Sequence, residues 1–406
     1  MGTSASRQLI ELELARGAHN YHPVEVVLQR AKGVFLWDVE GHRYLDMMSA
    51  YSTASLGHSH PAILRALKRQ ARALDVTSRA FYNDQLPRWL ERLTALAGMD
   101  KALPMNTGAE AVETALKLAR KWGEMAKGIA RDRCEIIGCV DNFHGRTLAL
   151  VSLSTEAQYR ENFGPFLPGF KTVPFGDLKA LEAAITPNTA AFIVEPIQGE
   201  AGIRLPPPGY LSRARELCQR HRVLFIVDEI QCGLSRTGRL FCFQHEPGLV
   251  PDLLILGKAL GGGVYPVSAV VGRGDVIGVL RPGDHGSTFG GNAIAAAVSL
   301  EALGLLSQAK LIARVERLGD WALAYLREAL GSSPIVRDIR GRGLMIGIEV
   351  SPEIGARGLV EALKARGVLT KDTHGVVIRL APPLVIRKKH LRRALDAVIE
   401  VVRAAA

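Results

Sequence analysis

Two side chains able to do chemistry together stand at the ends of apolar runs. Asp228 follows Val223-Leu224-Phe225-Ile226-Val227, and Lys258 follows Leu253-Leu254-Ile255-Leu256-Gly257. Short aliphatic runs bounded by polar residues and glycine predict fully buried parallel strands. Ligands of open α/β sheets bind outside the carboxyl ends of such strands, so both side chains are expected in one cleft. An acid paired with a lysine is what pyridoxal 5'-phosphate needs: the lysine forms a Schiff base and the acid partners the ring nitrogen. The strand before Lys258 and the glycines at 261 to 263 after it predict burial. Burial depresses an ammonium pKa and favours the neutral amine that attacks a carbonyl. Once freed, the same amine is suited to move a proton at the substrate carbon. The plainer alternatives are a solvated lysine and a helix-capping aspartate.

Other segments offer the remaining parts of such a site. Asn106-Thr107-Gly108-Ala109-Glu110 precedes an amphipathic helix carrying Val112, Leu116, Ala119 and Trp122 along one stripe. Thr107 with Glu110 fits a capping box, and free amides at a helix start favour an anion. A second turn, Gly286-Ser287-Thr288-Phe289-Gly290-Gly291-Asn292, offers hydroxyls and amides before another helix. In Asp141-Asn142-Phe143-His144-Gly145-Arg146-Thr147, Phe143 suits one face of a planar ring, with Ile230 against the other. Arg146 offers a fork for a carboxylate, and His144 a polar pocket wall. Plain core packing remains the alternative for Phe143.

The elements that must position these residues follow from periodicity. Residues 1 to about 20 read as a helix with Leu9, Leu12 and Ile10 on one side, and 33–46 as a hairpin around Asp38-Val39-Glu40-Gly41. His60-Pro61 opens a helix through Leu74. Strands are expected at 135–140, 149–153, 190–195, 223–228, 253–256 and 268–272, alternating with helices. That alternation predicts a large α/β/α domain with a mainly parallel sheet. A helical region over 292–330 precedes strands within 335–350 and 376–379, which belong to a smaller α+β domain. The expected division is an N-terminal segment 1–51, a large domain 52–307 and a small domain 308–406.

With 406 residues, 48% hydrophobic and 22% charged, the chain has the composition of a globular protein of more than one core. The net charge of +11 is spread among acids, and the run Arg387-Lys388-Lys389-His390-Leu391-Arg392-Arg393 lacks interleaved aromatics. Nucleic-acid binding is therefore not expected; a basic surface suits anionic small substrates better. Apolar runs are too short for a bilayer, and the stretch Met1-Gly2-Thr3-Ser4-Ala5-Ser6-Arg7 carries no signal-like segment. Five cysteines form no CxxC pair, which points to a reduced, cytoplasmic protein without metal.

Taken together, these motifs resemble the class III aminotransferases of fold type I, and among them the members that act on ornithine. The likeness runs from about 17 to 401. It is carried by Gly17-Ala18-His19-Asn20-Tyr21-His22-Pro23, Thr77-Ser78-Arg79-Ala80-Phe81-Tyr82-Asn83, Val194-Glu195-Pro196-Ile197-Gln198-Gly199-Glu200 and Ile378-Arg379-Leu380-Ala381-Pro382-Pro383, besides the motifs above. The resemblance implies that Lys258 anchors the cofactor, Asp228 meets the ring nitrogen, Gln231 the ring hydroxyl, and Phe143 stacks on the ring. It implies phosphate binding by Gly108 and Ala109, with Thr288 reaching the phosphate of a neighbouring subunit in a homodimer or dimer of dimers. Tyr21, Tyr51 and Arg146 would hold the far end of L-ornithine. Glu200 and Arg379 would form a switchable ion pair that opens for the carboxylate of 2-oxoglutarate. Two departures stand out: His144 where some members have Trp, and Cys232 where Thr is usual. An exposed thiol at 232 would be open to oxidation.

The expected reaction is transfer of the terminal amine of ornithine to a 2-oxo acid. Acetylornithine and 4-aminobutyrate are the rival donors, and an aminomutase or a non-catalytic scaffold the rival classes. A paired Glu200–Arg379 disfavours the aminomutase, which admits no second dicarboxylic substrate.

Overall fold

The computed structural model describes residues 4–406. Residues 1–3, part of the N-terminal stretch read above for a signal segment and for a first helix, lie outside the described residues. The strands are β1 (Leu28–Lys32), β2 (Phe35–Asp38), β3 (Arg43–Asp46), β4 (Lys101–Met105), β5 (Glu135–Cys139), β6 (Phe170–Val173), β7 (Thr189–Val194), β8 (Leu224–Asp228), β9 (Leu253–Leu256), β10 (Ser268–Gly272), β11 (Val336–Arg342), β12 (Met345–Val350), β13 (Val368–Leu369), β14 (Lys371–Thr373) and β15 (Val377–Leu380).

The central sheet has seven strands in the order β4-β10-β9-β8-β7-β5-β6. Strands β9, β8, β7, β5 and β6 run parallel, and β10 is antiparallel to both its neighbours. Every residue of β7, β8, β9 and β10 is buried. Their near-continuous apolar sequence follows from cover on both faces. Ile193, Ile226 and Ile255 pack on one face with Val112 and Leu116 of the helix Gly108–Trp122. Phe192, Phe225 and Leu254 face the other side, where Tyr210 and Leu217 of the helix Tyr210–Arg220 and Leu303 of the helix Ala293–Leu306 complete the core.

A second sheet, β11-β12-β15-β14, is antiparallel throughout and packs with the helices Ala309–Leu330 and Lys388–Ala404. The third joins the two ends of the chain: β1, β2 and β3 form a meander, and β13 adds in parallel beside β3. Two backbone bonds extend that seam, from Ala381 N to Met47 O at 2.7 Å and from Leu384 N to Ser55 O at 2.7 Å.

The hairpin at 33–46, the helix from Pro61 to Ala73 and the strands near 135, 190, 224, 253 and 268 match the sequence reading within a residue or two. Segment 149–153 does not: it lies in a short helix, Leu148–Leu153, whose last five residues are buried. A brief apolar run buried on all sides carries no period to separate strand from helix. Strands β4 and β6 escaped notice because Lys101-Ala102-Leu103-Pro104-Met105 and Phe170-Lys171-Thr172-Val173 mix polar residues or proline into short runs. Both are the outermost strands, where proline and lysine are tolerated. The first helix spans Ala5–Arg16 and buries nothing; Leu9 and Leu12 are exposed. The region 292–330 is two helices parted at Ser307 and Gln308. No single helix among the described residues is long and apolar enough to cross a membrane.

Gly319, inside the helix Ala309–Leu330, lets that helix touch the turn between β11 and β12. A Cβ there would stand 2.2 Å from the Gly343 carbonyl oxygen. In an exposed helix Gly→Ala stabilises by about 1 kcal/mol. Here Gly319→Ala is expected to destabilise by about 1–3 kcal/mol through overpacking. The urea midpoint tests the sign; a rise would show that the contact yields.

Candidate active site

The carboxyl ends of β7, β8 and β9 open on a cavity of about 160 Å³, lined among others by Gly108, Phe143, Glu195, Asp228, Ile230 and Lys258. Parallel strands that end in register make such a convergence, because each delivers its next polar residue to the same edge. Asp228, the last residue of β8, is buried. One carboxylate oxygen accepts the Ile230 amide at 3.0 Å, and the other meets His144 Nδ1 at 2.7 Å. Burial opposes a charge on the His144 ring, but the bond and charge of Asp228 outweigh it and raise its pKa. His144 is thus more than a pocket wall. Its Nε2 is buried without a partner.

Lys258 begins a tight turn after β9, with φ of +45°. A left-handed conformation costs a non-glycine residue about 1–2 kcal/mol, and such strain persists only where surroundings hold it. Burial drives the ammonium pKa below the ordinary lysine range; Glu200 opposes the fall and Arg379 adds to it. That is the direction expected from the sequence.

The helix Gly108–Trp122 starts at the cavity. Glu110 N donates to Thr107 Oγ1 at 3.2 Å and Thr107 N donates to the Glu110 carboxylate at 2.7 Å, the reciprocal cap read from the sequence. A Cβ at Gly108 would come within 3.0 Å of the Ile230 side chain, so glycine keeps this rim low. Ala109, Ile230 and Gln231 line the cavity too. Ser287 is tied to this start through Asn106 Nδ2 at 2.8 Å. Thr288 is exposed and does not line the cavity.

Arg379, on β15, is the charge centre of the neighbouring wall. It holds Glu200 through two bonds of 3.0 Å and donates to Gln231 Oε1 at 2.9 Å. Gln231 Nε2 donates to Glu200 at 3.0 Å, which closes a three-membered ring of contacts. Burial works against the Glu200 charge, yet Arg379 pulls its pKa down to about 2. The guanidinium stands 4.9 Å from the centre of the Tyr51 ring. Tyr51 belongs to a left-handed run, Ser49 to Ser52, with φ between +45° and +74°. Tyr21 is exposed, as is Arg146, whose guanidinium lies 4.0 Å over the Tyr159 ring.

Three features escaped the sequence reading. Glu195 follows β7 as Asp228 ends β8, the same signal of an acid after an apolar run. It is buried, its pKa is pushed up to about 7 by burial, and it accepts the Phe143 amide at 2.9 Å. Tyr159 meets Phe143 edge-on at 5.9 Å. Arg236 is buried and donates to Ser49 Oγ and Ser55 Oγ. Cys232 is not an exposed thiol: it is buried, and burial raises its pKa well above the usual value. Such a thiol is protected from oxidation.

Glu200→Gln leaves Arg379 buried without its counter-charge, with an expected loss of about 3 kcal/mol at neutral pH. The sign with pH is set by the depressed carboxyl. Its contribution is full above the ordinary value of 4.5 and fades as pH falls toward 2. Urea midpoints of parent and variant should therefore converge between those values; a constant gap would refute the pairing.

Residues 16–402 match the family model described as aminotransferase class-III. An ornithine aminotransferase of Exiguobacterium sp. is 55% identical over 403 residues, covering 99% of both chains. The crystal structure of the ornithine aminotransferase from Toxoplasma gondii ME49 superposes with a TM-score of 0.97 at 46% identity, covering 99% of this chain and 96% of that one. An acetylornithine aminotransferase from Elizabethkingia anophelis superposes with a TM-score of 0.89, also at 46% identity, covering 99% and 100%. With its acid and lysine at neighbouring strand ends and a family match across nearly its whole length, the chain belongs to the class-III aminotransferases.

Proposed function

We propose that this chain is a pyridoxal 5'-phosphate enzyme that transfers the δ-amine of L-ornithine to a 2-oxo acid such as 2-oxoglutarate. The products are glutamate 5-semialdehyde and glutamate. The observation that carries this reading is the buried Glu200–Arg379 pair facing Tyr51, alongside full-length relatives that bear the ornithine name. Bound pyridoxal phosphate supplies an aldehyde and an electron-withdrawing ring that takes up charge as a proton leaves the substrate carbon.

The residues fit that group. His144 Nδ1 and the Ile230 amide hold the Asp228 carboxylate, ready for a protonated ring nitrogen. Phe143, Ile230 and Gln231 line the cavity, and the first two would flank the cofactor ring. Thr107, Gly108 and Ala109 offer the helix start to the phosphate, with Ser287 braced against Asn106. Thr288, exposed on this subunit, is assigned to the phosphate of a second copy, so a homodimer is the minimal active form. Lys258 would hold the aldehyde, and its lowered pKa keeps the amine available as acid and base at the substrate carbon.

Ornithine presents a methylene to the reacting position, and an unpaired arginine beside it would be a poorly solvated charge. Glu200 neutralises Arg379 in that half of the cycle. The 1-carboxylate of the oxo acid displaces Glu200 in the other, while Arg146 takes the far carboxylate. Tyr21, Tyr51 and Arg146 receive the α-amine and carboxylate of ornithine. The same assignment divides the chain into 1–51, 52–307 and 308–406, with the last segment carrying Arg379 to the site.

Acetylornithine is the second reading, favoured by the relative from Elizabethkingia anophelis. L-ornithine alone, added to purified enzyme loaded with cofactor, is expected to convert its absorption band in one turnover with release of semialdehyde. N-acetylornithine should do so at least tenfold more slowly, about 1.4 kcal/mol in the barrier. The reverse preference would reassign the donor. Borohydride reduction followed by peptide mapping should label Lys258, and a label elsewhere would overturn the site.

A further inference from the structure

Four consecutive residues, Ser49, Ala50, Tyr51 and Ser52, have φ of +45°, +47°, +58° and +74°. None is glycine, and L-residues visit this region as single residues rather than in runs. Something outside the run must hold it. Beside it lies Arg236, 1% exposed, with no carboxylate within salt-bridge distance among the described residues. Its Nη2 donates to Ser49 Oγ at 3.3 Å, the first residue of the left-handed run, and to Ser55 Oγ at 2.9 Å, three residues past its end. Its Nη1 donates to the Leu344 carbonyl at 3.0 Å and the Pro382 carbonyl at 2.5 Å.

Both serines pass the restraint on. Ser49 Oγ donates to the Ala381 carbonyl at 2.6 Å, and Ser55 Oγ donates to the Ser52 carbonyl at 2.7 Å, the last residue of the run. Asp46 holds the Met48 and Ser49 amides from the other side, at 2.9 Å and 2.7 Å. One guanidinium thus ties the strained turn to the segment just after β15, which carries Arg379, and to the residue that leads into β12, the strand paired with β15. A buried arginine hydrogen-bonded to neutral oxygens, with the Asp46 carboxylate only near enough to oppose part of the burial cost, stabilises little for its desolvation. Lysine, with a point charge and no planar fork, cannot span four acceptors in this arrangement.

We propose that Arg236 is the positioning residue for Tyr51: by clamping Ser49 and Ser55 it holds the left-handed turn that sets the Tyr51 ring over Arg379, and so tunes recognition of the amine donor. The proposal rests on the functional reading above only in taking Tyr51 as a substrate contact.

The test is a double-mutant cycle on the cofactor-loaded enzyme, joined to crystal structures. Arg236→Lys removes the fork. Ser49→Ala with Ser55→Ala releases the turn while leaving the buried charge in place, and serves if the lysine variant does not fold. The serine pair is expected to raise KM for L-ornithine about tenfold with kcat within twofold. The same pair in a Tyr51→Ala background is expected to change KM by less than twofold, because no ring remains to be placed. In the crystal structure of the serine-pair variant, the Tyr51 ring should leave the Arg379 guanidinium. Equal losses with and without Tyr51, or a ring that stays in place, would overturn the proposal. A parent enzyme inert toward ornithine would instead sink the functional reading, since the ring's position reports on Arg236 whichever amine is used.

Discussion

A positive charge taken out of water must be answered, and Arg379 organises this molecule around that demand. It sits on a strand of the C-terminal sheet, yet its carboxylate partner Glu200 and its amide partner Gln231 both follow strands of the central sheet. The ion pair is therefore also a joint between the two sheets. Two further contacts reinforce it: Thr373 Oγ1 donates to the Glu200 carbonyl, and Arg340 donates to the Gly202 carbonyl at 2.7 Å. The backbone around Glu200 is thus held from the C-terminal side. Gly199 matters for the same reason: a Cβ there would lie 1.7 Å from the Gln231 amide oxygen, so any larger residue would displace the third member of the ring.

The other pole is the acid cluster at the ends of β7 and β8. Asp228, Glu195 and His144 lie together in a region closed to solvent, and their charges cannot be set independently. His144 takes the side of Asp228, whose bond and charge raise the pKa of the ring against the effect of burial. Glu195, left to desolvation and close to Asp228, is held up to about 7 while it fixes the Phe143 amide. Neighbouring Glu229 points elsewhere and takes the Cys242 and Phe243 amides, at 2.6 Å each. Two adjacent acids in the chain thus serve different ends: one faces the cavity and the other secures the loop behind it.

Arg236 and Arg379 make an instructive contrast. Each is buried and each joins distant segments. Arg379 has a carboxylate partner, Glu200, at the wall of the cavity. Arg236 has only neutral hydroxyl and carbonyl oxygens, which offer an anion nothing to displace, so its arrangement is suited to permanence.

From the amino-acid order alone came the buried strands, the capped helix at Thr107, the acid and lysine at strand ends, and the likeness that singled out Glu200 and Arg379. All are local patterns, or motifs whose spacing survives without knowledge of contacts. Folding in three dimensions decided the rest. Segment 149–153 became a helix because burial on every side erased its period, and the first helix packed nothing despite its leucines. His144 acquired its partner from a strand far along the chain, as Glu195 acquired Phe143 and Arg236 acquired Ser49 and Ser55. Periodicity reports what a residue does with its neighbours three or four positions away; hydrogen bonds across hundreds of residues exist only once the sheets have been assembled.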